Sequence, residues 1–121
     1  MARGLLSGLK ILVIEDDYLA AVVVARALLG AGAELIGPYS DATACFELRR
    51  REVSFAVIDL NLGHGTEFHC AQELQRRGVP FMFVSGYDRS AIPAEFDAVP
   101  LLQKPVRDAA IVRGVRQSLS A

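Results

Sequence analysis

Lys10-Ile11-Leu12-Val13-Ile14-Glu15-Asp16-Asp17 is the stretch on which the reading of the fold turns. Its first five residues form an apolar, β-branched run with no alternation, the pattern of a strand covered on both faces. Three carboxylates follow where a helix has to begin, and carboxylates suit a helix N-terminus through capping and the dipole. Residues 18–29 then read as that helix, stopped by Gly30 and Gly32. The rest of the chain repeats the theme. Residues 34–38 read as a weaker strand, and Ser40 or Asp41 caps a second helix running to about Arg50. Residues 53–60 repeat the buried-strand pattern with Asp59 at its C-terminal end, and a third helix spans 66–77 before Gly78. Residues 80–84 and 99–102 complete the strands, and 106–118 form the last helix. Between those two strands, Pro93 and a polar mixture make the expected fourth helix short or irregular. Apolar strands alternating with helices predict the α/β class: a single doubly wound, five-stranded parallel sheet with helices on both faces.

The 121 residues are about 0.8 of a typical ~150-residue domain, so the expectation is one domain over 1–121, with no linker, repeat or effector domain. Thirteen Lys and Arg against fourteen Asp and Glu leave a net charge of -1, which argues against a dedicated nucleic-acid binder. Cys45 and Cys70 are too few for a disulfide scaffold and read as reduced, structural thiols. No apolar window reaches the ~20 residues of a membrane span, so a soluble cytoplasmic protein is expected.

Open parallel sheets bind ligands beyond the carboxyl ends of their strands. There the sequence places Glu15 and Asp16 after strand one, Asp59 after strand three, Ser85 after strand four and Lys104 after strand five. Clustered carboxylates repel unless they share a cation, and Mg²⁺ suits one or two carboxylates with waters and phosphate oxygens. Lys104 and Ser85 supply a positive charge and a hydrogen bond for an anion beside it. The set is shaped for phosphoryl chemistry.

In order and separation, Glu15-Asp16, Asp59 within Ala56-Val57-Ile58-Asp59-Leu60-Asn61, Ser85 and Lys104-Pro105 resemble the motifs of response-regulator receiver domains along essentially the whole chain. Phe83-Val84-Ser85-Gly86-Tyr87 also resembles the Phe-Ala-Thr-Gly-aromatic motif of a receiver subgroup. The resemblance implies a flavodoxin-like sheet of order 2-1-3-4-5 and a cis bond between Lys104 and Pro105. It implies that Asp59 accepts phosphate from a histidine kinase or histidine phosphotransfer protein. Asp16, Asp59 and the carbonyl of Asn61 would hold Mg²⁺, with Glu15 acting through a water, while Lys104 and Ser85 would meet the phosphoryl oxygens. Such a domain takes part in phosphotransfer, and in loss of its own phosphate, without being a turnover enzyme. It departs from the family at Leu101, where an aromatic switch residue is usual, and in the short loop Leu62-Gly63-His64-Gly65. Tyr87 is the aromatic placed to stand in for the switch. The alternative function is a docking scaffold of receiver type that is never phosphorylated, with a small Mg²⁺-dependent phosphatase ranked behind it.

Residues Ala20, Val23, Val24, Ala27 and Leu28 have core-stripe spacing in the first helix. The opposite face, Tyr18, Ala21, Val22, Ala25, Arg26 and Leu29, is almost wholly apolar and predicts a surface for the kinase or for a homodimer. His64, His69 and Cys70 lack zinc-site spacing. The arginines at 49–51 and 76–77 complement helix C-termini.

Overall fold

The computed structural model describes residues 4–15, 17–60 and 68–120. Strand β1 (Lys10–Ile14) leads into helix α1 (Tyr18–Gly30), and β2 (Glu34–Tyr39) into α2 (Asp41–Arg50). Strand β3 (Phe55–Leu60) precedes α3 (His69–Arg77), and β4 (Phe81–Ser85) precedes two short 3₁₀ turns, Arg89–Ala91 and Ala94–Phe96. Strand β5 (Leu101–Gln103) and helix α4 (Asp108–Ser120) complete the order. All strand pairs are parallel and the sheet runs β2-β1-β3-β4-β5, the expected order.

Every residue of β3 and β4 is buried, as unbroken apolar runs require in the middle of a parallel sheet. Alternate residues serve opposite layers. Ile11, Val13, Phe55, Val57, Met82 and Val84 pack with α1 and α4. Leu12, Ile14, Ile58 and Phe83 pack with α2, α3 and the segment after β4. Asp59 lies two residues beyond Val57, at the end of the series that faces α1 and α4. Helix α4 comes close to the sheet at Gly114, where an added Cβ would stand 3.0 Å from the Met82 sulfur.

The helix ends follow local chemistry. The Asp17 side chain accepts from the Leu19 and Ala20 amides and caps α1, and Ser40 caps α2. Gly78 ends α3 in the left-handed conformation, as the sequence predicts. The C-terminal arginines do more than face a dipole. Arg50 and Arg51 both bond Glu47, and Arg76 and Arg77 both bond Glu73, so each helix closes with a carboxylate clamped between two guanidinium groups. The two guanidinium groups beside Glu73 hold its carboxyl down at about 2, through the hydrogen bonds from Arg76 and Arg77.

Between β4 and β5 the expected short, irregular helix takes the form of two 3₁₀ turns: Pro93 has no amide proton and disfavours α-helix at Ile92. Side chains hold this segment. Arg89 donates to the carbonyls of Phe96 (3.0 Å) and Val99 (2.6 Å), while the fully buried Phe96 ring packs against Phe68, Phe81 and Phe83. Two expectations are corrected. First, β5 and α4 begin about two residues later than expected, because Val99 turns inward as part of the segment's core rather than starting the strand. Second, the buried stripe of α1 is rotated. Ala21, Val24, Ala27 and Leu28 face the core, whereas Val23 is 43% and Leu19 76% exposed. The predicted outer apolar face therefore loses Ala21 to the interior and keeps Leu29 and Arg26 outside.

Candidate functional site

The C-terminal edge of the sheet gathers Glu15, Asp59, Ser85 and Lys104 because each ends or follows a strand. Asp59 lies one residue before the end of β3, in register with Val84 of β4. Its side chain is 1% exposed, and Lys104 Nζ stands 2.9 Å from its Oδ1. That contact is an ion pair outside hydrogen-bond angles, so neither Asp59 oxygen has a hydrogen-bond partner among the described residues. Lys104 is held in place by its own backbone: its N–H donates to the Ser85 carbonyl (2.8 Å), and the bond to Pro105 is cis, as expected.

Glu15 follows β1, with its N–H bonded to the Tyr39 carbonyl and its Oε1 accepting from the Asp17 N–H at 2.7 Å. The other oxygen, Oε2, is buried without a partner. Burial, reinforced by the neighbouring Asp59 carboxylate, pushes the Glu15 carboxyl up to about 8. Two carboxylates thus press on each other beneath one ammonium.

Ser85 ends β4, paired with Leu60 one position beyond Asp59, and is buried. Its hydroxyl accepts the Tyr87 N–H (2.9 Å) and does not donate to Asp59. Tyr87 itself is 45% exposed. Asp16, Asn61 and the 62–65 loop lie outside the described residues. Among the described residues, no group of three or more His, Cys, Asp or Glu side chains is gathered for a metal. The residues present nevertheless fit a hard divalent ion. Three buried carboxylate oxygens lack a hydrogen-bond partner, and carboxylate oxygen is the donor type that Mg²⁺ takes.

A chamber of about 460 Å³ opens above the Asp59–Lys104 pair, walled by Ala20, Val23, Val24, Val84, Pro105 and Val106. Sequence spacing assigned Ala20 and Val23 to the core. The rotation of α1 makes them walls of the chamber instead. Cys45 and Cys70 are free, with Cys70 fully buried on the opposite layer, as expected of structural thiols. No helix among the described residues is long and apolar enough to cross a membrane.

No protein-family model matches the chain, and no curated protein sequence does. Solved structures do. The chemotaxis protein CheY4 of Vibrio cholerae superposes with a TM-score of 0.79 at 16% identity, over 93% of this chain and 98% of that one. A response regulator from Thermotoga maritima gives 0.76 at 19%, over 93% and 98%. SdrG from Sphingomonas melonis Fr1 gives 0.66 at 25%, over 96% and 95%. The sheet order and the four helices are those of the flavodoxin-like, CheY-type fold.

Proposed function

We propose that this chain, which has the fold of response-regulator receiver domains, is a response regulator that accepts a phosphoryl group on Asp59 from a phosphohistidine. The observation that carries the reading is the buried, unsatisfied Asp59 carboxylate with an ammonium 2.9 Å away, at the floor of an open chamber. An Asp59 oxygen attacks phosphorus in line. The new O–P bond forms as the donor's P–N bond breaks, and the imidazole leaves with the electron pair. Lys104 neutralises charge on a phosphoryl oxygen. The Ser85 hydroxyl turns from the Tyr87 amide to a second oxygen, coupling phosphorylation to the loop that carries Tyr87. Glu15 and Asp59, with Asp16 and the Asn61 carbonyl, are the residues that would hold Mg²⁺. When bound, the ion offsets charge on the transferring group.

The donor is a histidine kinase or a histidine phosphotransfer protein in the cytoplasm. Exposed Leu19 and Val23, beside the chamber, offer its helices an apolar seat, and the same patch is the place for a homodimer if one forms. The domain shares a phosphotransfer reaction and passes on a signal by protein contact, and it is not a turnover enzyme. The test is incubation with Mg²⁺ and acetyl phosphate or a phosphorylated kinase, followed by intact-mass analysis. A gain of one phosphoryl group, absent in Asp59→Asn, supports the reading. No gain with any donor refutes it in favour of an unphosphorylated docking scaffold.

A further inference from the structure

A second concavity, sharing no residue with the Asp59 chamber, runs along the outer side of α4. It measures about 550 Å³ and is lined by Leu5, Val112, Arg113, Arg116 and Gln117, with Ala109 and Ser120 at its two ends. At ~1.5 Å per residue, the stretch from Ala109 to Ser120 is roughly 16 Å long. We propose that this groove docks an acidic amphipathic helix of a partner protein, with apolar side chains against Leu5 and Ala109 and carboxylates against Arg113 and Arg116.

Charge is the first argument. Arg50, Arg51, Arg76 and Arg77 are each held by a glutamate, and Arg89 by two carbonyls. Arg113 and Arg116, like Arg26, Arg49 and Arg107, are exposed and have no ion-pair partner among the described residues, but these two line one groove together and no acidic side chain lines it. Two unpaired guanidinium groups three residues apart point the same way along a helix, the spacing at which a facing helix presents carboxylates one turn apart. The second argument is apolar. Leu5 is 43% exposed beside them although its neighbour Leu6 is fully buried and its N–H is tied to the Ala31 carbonyl. An apolar centre with cationic edges is the surface that a helix with an apolar ridge and acidic flanks complements. A second copy does not fit. A two-fold pairing of α4 brings the arginines of one copy against those of the other.

The probe is a fluorescent synthetic helix of Leu and Glu at amphipathic spacing, with a Leu/Lys counterpart of the same pattern. The expected result is saturable binding of the acidic peptide alone, with amide shifts in NMR spectra confined to residue 5 and the 109–120 helix. The Arg113→Glu/Arg116→Glu variant should lose at least about tenfold in affinity for it and gain affinity for the Lys peptide. Phosphoryl acceptance at Asp59 should be unchanged in that variant, which separates the two readings and reports a folded protein. Equal binding of both peptides, shifts elsewhere on the surface, or binding only to phosphatidylglycerol vesicles overturns the proposal. So does a wild-type dimer that the variant abolishes.

Discussion

Replacing Asp59 by Asn should stabilise the metal-free protein, and the gain should grow with pH. The Glu15 carboxyl titrates near 4.5 in an unfolded chain and at about 8 in the fold. Below pH 4.5 both states hold the proton and the site costs nothing on this account. Between pH 4.5 and 8 only the folded state holds it, so stability falls as pH rises, and above pH 8 the loss is complete. At ~1.36 kcal/mol per pH unit, that interval bounds the loss at about 5 kcal/mol. Burial is the larger cause and Asp59 the next, so removing the Asp59 charge should return about 1–2 kcal/mol at pH 8, worth roughly 4–10 °C in Tm for a domain of this size. The asparagine amide can also donate to Glu15, which the carboxylate cannot. Thermal and urea melts in EDTA, taken from pH 4.5 to 8.5, test this. A variant no more stable than the parent at pH 8, or equally stabilised at pH 4.5, would refute the account of two opposed buried carboxylates.

Other perturbations give distinct signatures. Mg²⁺ should raise Tm at pH 8 in the parent and much less in Asp59→Asn, and equal shifts in a titration followed by melting would count against the cation site. Lys104→Met leaves the methylene stem but removes the ammonium, so phosphoryl acceptance measured by intact mass should slow by about tenfold or more. Phe96→Ala should cost about 3–5 kcal/mol in urea melts, since the ring is fully buried among three others. Arg89→Ala removes two hydrogen bonds to carbonyls and should lower stability by about 1–3 kcal/mol, with faster amide exchange concentrated in residues 89–99.

The sheet was legible because β1, β3 and β4 are buried on both faces, so their residues carry no competing pattern. Asp59 stood out for the same reason, as a charge at the end of an apolar run. Glu15 and Lys104 were legible by position, since any residue following a strand in this architecture reaches the same edge. What failed was the facing of α1. Its outer surface is nearly as apolar as its inner one, so spacing alone could not say which stripe was buried, and the chamber walls went unread with it. The segment from 86 to 100 was recognised as a poor helix, but its actual restraint is tertiary. Arg89 meets carbonyls seven and ten residues away, and no local preference encodes that. The glutamate clamps were likewise hidden, because an arginine run suits a helix C-terminus with or without a partner.

The two 3₁₀ turns after β4 have a mechanical consequence. A full α-helix there would resist displacement through a ladder of mutually reinforcing bonds, and moving it would mean shifting a rigid rod. This span is instead held by short turns and by side chains: a guanidinium gripping two carbonyls, a phenyl ring seated in an aromatic nest, and Gln72 and Gln75 of α3 bonding Glu95. Re-routing the backbone there breaks a few isolated turn bonds rather than a cooperative helical ladder. A displacement that begins at Ser85 and Tyr87 therefore meets a hinge fastened by single side chains, whose stiffness one substitution can tune without touching the chemistry at the strand ends.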